Sequence, residues 1–265
     1  MEHAQRTTPR RALILGASSG FGEACAKALA RAGYDIAGVH LDRKAGIQHV
    51  DEIRAELEGL GAQTMFFNIN AADEVKRQEV LTAIQEDIAK RGGTVAVLMH
   101  SLAFGTLRPY VGENALTKKN VEMTLDVMGH SLVYWVQDLV RREMMAKGGR
   151  VFSMTSSGST RVIESYGAVS AAKCALESHT RQLAVELAPY GITVNALRGG
   201  VTRTPASEKI PGSDRLFEQA ASRNPHKRLT TPGDVARAVV ALCDTGTDWI
   251  TGNVINVDGG EEVSG

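Results

Sequence analysis

The 265-residue sequence predicts an α/β protein built on a doubly wound, seven-stranded parallel sheet with helices on both faces. Three observations carry that prediction. Short apolar runs recur along the whole chain, longer helical patterns separate them, and a glycine-rich turn joins the first run to the first helix. Near-continuous apolar strands alternating with amphipathic helices are the mark of a parallel sheet buried on both faces by right-handed crossovers.

The seven apolar runs are Ala12-Leu15, Ile36-Leu41, Thr64-Ile69, Val95-Met99, Val151-Met154, Ile192-Leu197 and Val254-Val257. The first helix follows Gly22 and sets Cys25, Ala28, Leu29 and Ala32 on one face, with Gly33 as its stop. The second carries the stripe Val50, Ile53, Leu57 and Leu60, and the third carries Leu81, Ile84 and Ile88. No linker, repeat or low-complexity segment divides the chain. The expectation is therefore a single domain, residues 10–265, behind a flexible N-terminal arm, residues 1–9.

Composition narrows the partners. Thirty Lys and Arg balance thirty Asp and Glu, so no basic field exists to hold nucleic acid or an anionic membrane. No apolar run is long enough to span a bilayer, and the first nine residues lack a signal peptide's apolar stretch. Cys25, Cys174 and Cys243 are isolated, with neither disulfide nor metal spacing, which suits a reducing cytoplasm and predicts no metal.

The turn Gly16-Ala-Ser-Ser-Gly-Phe-Gly22 lies where a Rossmann-type fold binds phosphate. Glycine there permits a tight turn and close backbone approach, and the following helix offers unpaired N–H groups and a partial positive charge. Ser18 and Ser19 add hydroxyls. At the end of the second strand an acid would favour the free ribose hydroxyls of NADH; here that position is His40, and Arg43 and Lys44 follow. Guanidinium and ammonium complement a 2'-phosphate, which favours NADPH, while Asp42 keeps NADH possible.

Tyr166 and Lys173 stand seven residues apart after the fifth strand, behind a Ser/Gly-rich loop that includes Ser156. On a helix they share a face, with a rise of roughly 10 Å between them that the lysine spans by leaning toward the N-terminus. A cation near the phenol favours phenolate and strengthens it as an acid.

With those residues in place, the chain from Leu13 to Gly260 resembles the short-chain dehydrogenase/reductase superfamily, Asn195-Ala196 and Val257-Asp-Gly-Gly260 included. Most members carry Tyr-x3-Lys, Asn-Asn-Ala-Gly after the fourth strand and an asparagine on the next helix. Here those places hold Tyr166-x6-Lys173, His100-Ser-Leu-Ala-Phe104 and Asp126. All three are similar to the bacterial enoyl-acyl carrier protein reductases, and GxxxGxG, Phe104-Pro109 and Glu177-Leu187 look closest to the branch found in Bacillus. One departure is Ser156, where the better-known members have a tyrosine.

The resemblance implies NADPH-dependent reduction of a trans-2-enoyl thioester on acyl carrier protein or CoA, in fatty acid biosynthesis. It implies Tyr166, Lys173 and Ser156 as catalytic, and Phe104 with Tyr166 at the substrate. The cofactor set it implies is Gly16, Ser18, Ser19, Gly20, Phe21, Gly22, His40, Arg43, Lys44, Asn68, Ile69, Ser101, Leu102, Ala103, Lys173, Val201 and Thr204. It further implies a substrate lid around 205–221 and a homotetramer with His130, Tyr134 and Trp135 on a contact helix. Two alternatives stay open: a ketone or alcohol oxidoreductase on the same scaffold, which Ser156 leaves room for, and a dinucleotide sensor without chemistry.

Overall fold

The structure, a computed structural model, describes residues 8–264. Seven of the nine residues assigned to an N-terminal arm therefore lie outside the described residues. The strands are β1 (Arg10–Leu15), β2 (Asp35–His40), β3 (Thr64–Asn68), β4 (Thr94–His100), β5 (Arg150–Thr155), β6 (Thr193–Gly199) and β7 (Val254–Val257). The helices are α1 (Gly20–Arg31), α2 (Lys44–Gly59), α3 (Glu74–Arg91), α4 (Lys118–Leu125), α5 (Ser131–Arg141), α6 (Gly167–Leu187), α7 (Ser213–Arg223) and α8 (Pro232–Leu242). A single π turn, Asp126–His130, joins α4 to α5.

All seven strands form one parallel sheet in the order β3-β2-β1-β4-β5-β6-β7. The order reverses between β1 and β4, so their crossovers leave in opposite directions and open a crevice at the carboxyl ends. Alternate residues of each strand feed opposite layers. Leu13, Leu15, Leu98 and Val151 pack with Leu81, Trp135, Leu139 and Leu176 on the α3, α5 and α6 side. Ala12, Ile14, Val97 and Phe152 pack with Leu29, Ile53, Leu57 and Val239 on the α1, α2 and α8 side. Among the described residues no helix is long and apolar enough to cross a membrane.

Some boundaries shift. The second strand stops at His40, and Leu41, beyond the last β2–β3 pair, is exposed. The first helix begins at Gly20 rather than after Gly22, because the turn is tight enough for Gly20 and Phe21 to join its first turn. Leu60 caps α2 and stays exposed instead of completing the buried stripe. Trp135 is not available for a subunit contact through its side chain: it is fully buried, and its Nε1 donates to the Ala71 carbonyl at 2.8 Å. The π turn sets neighbouring residues to different tasks. Val127 and Met128 are buried beside α6, while Asp126 accepts a 2.9 Å bond from the Tyr134 hydroxyl.

Below the sheet, at its amino end, charge is buried and paired. Arg11, only 2% exposed, donates through Nε to Asp87 at 2.8 Å and through Nη1 to the Gly92 carbonyl at 2.8 Å. Arg91 bridges Asp87 to Asp35. This network ties the end of α3 to the starts of β1 and β2, leaving the carboxyl ends for the site.

Candidate active site

The glycine turn sits over the switch point. Gly16 has φ +91° directly after β1, and a side chain there would place Cβ 2.3 Å from the Ser101 carbonyl oxygen at the end of β4. Gly22 lies against the backbone of Gly16, where a Cβ would meet the Gly16 carbonyl oxygen at 2.0 Å. Neither place admits a larger residue, so the turn folds flat and brings α1's first amides to the crevice. Ser19, the N-cap of α1, is extended and makes no side-chain bond to that first turn. The amides are thus left for an incoming anion. Thr204 faces the same turn: a Cβ on Gly20 would lie 3.4 Å from its Cγ2. These features fit a dinucleotide pyrophosphate, with Gly16, Ser18, Ser19, Gly20, Phe21, Gly22 and Thr204 around it.

At the far end of the crevice, His40 closes β2, buried, with Nδ1 2.9 Å from Asp42 Oδ2. Asn68 fixes the adjoining loop from both sides, accepting from Asp42 N at 3.0 Å and donating to Asp42 O at 2.9 Å. Ile69 continues this junction by donating its N–H to the His40 carbonyl. Arg43 and Lys44 are exposed at the N-terminus of α2, whose first turn contains no acid. Cations there oppose the helix dipole, an arrangement that a bound anion would relieve.

The opposite side holds the Tyr166 group. Tyr166 is the N-cap of α6, so it precedes the helix instead of lying inside it. Its hydroxyl donates to Ser156 Oγ at 3.4 Å, and Ser156 Oγ also accepts from Gly158 N at 3.1 Å. A serine oxygen that accepts twice keeps its own hydrogen for another acceptor. Gly158 lies against the Tyr166 ring, where a Cβ would meet Cε1 at 2.5 Å. The residue before the tyrosine, Ser165, has φ +58°, a left-handed backbone that only local demand sustains.

Lys173 is buried and donates to the carbonyls of Met154 at 2.7 Å and Leu102 at 3.2 Å. An ammonium has three donors, so one remains for a ligand such as a ribose hydroxyl. Burial pushes Lys173 down to about 8, Glu177 acting against that fall. The phenol of Tyr166 is raised by burial, with the Ser156 bond offsetting part of the rise. The expected shift toward phenolate under Lys173 is therefore corrected: the ammonium is engaged by two carbonyls, and Tyr166 is a neutral donor. His100, wholly buried beneath, bonds Ser131 Oγ through Nε2 at 2.8 Å, and Ser131 gives its hydrogen to the Val127 carbonyl. The Nε2 atom is accordingly protonated, and Nδ1 has no partner. Burial and nearby Lys173 hold this imidazole down at about 3.

The Tyr166 side opens on a cavity of about 320 Å³, which Phe21 of the glycine turn also lines. Its walls include Ser101, Leu102, Ala103, Phe104, Ser156, Tyr166, Lys173, Val201 and Thr204. Phe104 is 53% exposed, so it is a cavity-edge residue and not part of the core. Val201 N donates to the Glu261 carboxylate at 3.1 Å, and Thr204 is braced by Ser207 Oγ. The segment expected to cover the substrate contributes Ala206, Ile210 and Leu216, from a short 3-10 turn and α7. Sequence reasoning gave no role to Gly105 and Leu107, from the loop after β4, Met128, from the π turn, or Ile163, from the loop before α6, wall residues with no common spacing. It named Glu177 only as the start of the Glu177-Leu187 segment and gave it no role, although it stands a helical turn beyond Lys173.

A family profile described as Enoyl-(Acyl carrier protein) reductase matches residues 16–262. The chain is 30% identical over 262 residues to 1-cyclohexenylcarbonyl-CoA reductase of Streptomyces collinus, covering 97% of this chain and 89% of that one. It is 28% identical over 193 residues to the NADH-specified enoyl-acyl-carrier-protein reductase FabI of Aquifex aeolicus, 72% of this chain and 71% of that one. A Burkholderia cenocepacia short chain dehydrogenase, solved in complex with NADP, superimposes with a TM-score of 0.82 at 27% identity, covering 97% of this chain and all of that one. With the glycine turn, the crevice and the Tyr166–Lys173 pair in one place, the chain belongs to the enoyl-(acyl carrier protein) reductase family of short-chain dehydrogenase/reductases.

Proposed function

We propose that the protein reduces the trans-2 double bond of an enoyl thioester with NADPH. The observation that carries this reading is the convergence of Ser156, Tyr166 and Lys173 on one cavity with Phe21 of the β1–α1 turn and Thr204, which faces Gly20 of that turn. The nicotinamide, when bound, supplies a hydride for the β-carbon of the substrate. As electrons move toward the thioester oxygen, Tyr166 turns its hydroxyl from Ser156 to that oxygen, and Ser156 offers its unused hydrogen as a second donor. Donors aimed where charge develops stabilise the transition state more than the ground state. A buried ammonium at Lys173 holds the ribose through its remaining donor. The enolate that results collapses back to the thioester as its α-carbon takes a proton from water, which completes addition of two hydrogens across the bond.

NADPH over NADH rests on Arg43 and Lys44, two exposed cations at a helix N-terminus. Asp42, already paired with His40, is the feature that would admit NADH, and the Aquifex relative is an NADH-designated reductase. The segment 205–221 serves as the lid, and residues 10–265 act as one catalytic domain. A homotetramer in the cytoplasm fits the family; His130 and Tyr134, half-buried, remain as candidates on the contact helix.

The test is absorbance decay of NADPH and of NADH with crotonyl-CoA, an enoyl-acyl carrier protein and 1-cyclohexenylcarbonyl-CoA, beside acetoacetyl-CoA. Turnover of an enoyl substrate with NADPH favoured is the expected result. Reduction of the ketone alone would replace this reading by a 3-oxoacyl thioester reductase, and cofactor binding without any turnover by a dinucleotide sensor.

A further inference from the structure

We propose that Glu177 is a positioning residue for Ser156 and Tyr166, its carboxylate fastening the loop that bears the serine to the helix that bears Lys173. A single oxygen, Glu177 Oε1, accepts from Thr155 Oγ1 at 2.6 Å and from Ser159 Oγ at 2.7 Å, and lies 3.2 Å from Arg198 Nη2. Thr155 directly precedes Ser156 and Ser159 follows it by three residues, so the same atom grips the loop on both flanks of the serine. Between them, Gly158 lies against the phenol ring of Tyr166. A shift of the loop therefore moves the serine hydroxyl and the ring wall together.

Charge, not only hydrogen bonding, is built in. Glu177 and Arg198 have side chains 12% and 11% exposed, an ion pair largely out of water. Arg198 Nη1 also lies 3.7 Å from Glu262, which pairs with Arg161 at 3.3 Å. A neutral residue at 177 would leave Arg198 the Ser159 hydroxyl, 3.2 Å from Nη2, and the more distant Glu262 carboxylate, so the nearer of its two anions would be lost, and a buried cation short of its counter-charge is costly. Glu177 lies one helical turn beyond Lys173. The other titratable groups facing that ammonium are Tyr166, at the start of α6, and His100, at the end of β4, whose ring is uncharged at working pH. Glu177 is thus the anion that favours the charged form of Lys173.

The proposal rests on Tyr166 donating to a substrate oxygen, which holds for an enoyl or a 3-oxo thioester alike. Its test compares the parent with Glu177→Gln and Glu177→Ala in the full chain, measuring kcat, KM, the NADPH dissociation constant and the pH profile. Glutamine keeps an acceptor oxygen but no charge. Its kcat is expected to fall about tenfold while KM and NADPH affinity stay within about twofold, because misplaced reacting groups lower turnover more than binding. The alkaline limb of its profile should move to lower pH, since the anion that favours the Lys173 cation is gone. Alanine should lose more. Parent-level kcat and an unmoved alkaline limb, with only the melting temperature lowered, would make Glu177 a structural brace and overturn the proposal; so would a raised KM at constant kcat. If the alanine variant does not fold, the glutamine variant decides alone. Loss of the enoyl reading shows differently, as a parent that reduces only the ketone, and the same comparison then runs on the ketone.

Discussion

At the residue scale the site is a set of donors with their hydrogens assigned. Tyr166 Oη now serves Ser156, and Ser156 keeps a hydrogen for another acceptor. Tyr166→Phe removes the donor and little volume, so kcat should drop on the order of 100-fold with the fold intact; an unaffected rate would mean another acid. Gly22→Ala tests the other half of the crevice. Its methyl would sit 2.0 Å from the Gly16 carbonyl oxygen, which must move and take the turn with it. NADPH binding, followed by fluorescence titration, should weaken sharply in that variant. These residues could be singled out from the sequence because glycine spacing and the Tyr166 to Lys173 interval are local patterns. What the lysine touches was not, since Leu102 and Met154 offer main-chain carbonyls from two different strand ends.

Elements explain which parts of the fold could be read and which could not. Strands that are apolar throughout announce themselves, so β7 is found to the residue and the others are displaced only at their ends, where caps and turns decide. Helix α5 misleads because the sequence shows an apolar stripe but not its partner. Its face with Trp135 and Leu139 goes to the sheet, not to another subunit. The Glu177 clamp stayed hidden because Thr155, Ser159, Arg198 and Glu262 come from β5, the loop after it, β6 and the chain's end. At the amino side, α3 is fastened to β1 by Arg11 and Asp87. Asp87→Ala leaves the buried guanidinium with main-chain carbonyls as its remaining partners. Denaturant unfolding should register a loss of about 2 kcal/mol, the cost of removing a charged hydrogen-bond acceptor from a buried guanidinium.

Over the whole molecule, buried titratable groups make stability depend on pH at both ends of the range. His100 is held at about 3, against an ordinary 6.5, so below pH 6.5 the unfolded chain takes up a proton that the folded chain refuses. Stability should therefore fall with acid from pH 6.5, and thermal scans down to about pH 4.5 would see it before carboxylates begin to titrate. A melting temperature flat over that window would contradict the burial assigned to His100. Lys173, held at about 8 against 10.5, contributes a rise in stability with pH between those values, whereas the thiols of Cys25 and Cys243, raised by burial to about 12 and about 11 from 9.0, work against it above pH 9. The chain's two tryptophans report on such changes separately. Trp135 is wholly enclosed beneath the sheet, and Trp249, before β7, is 94% exposed. Native emission should then split into a short-wavelength part that iodide does not reach and a long-wavelength part that it quenches. Acid unfolding would redden the first and leave the second almost unchanged, so the fold carries its own optical gauge of whether its interior, and not merely its edge, has opened.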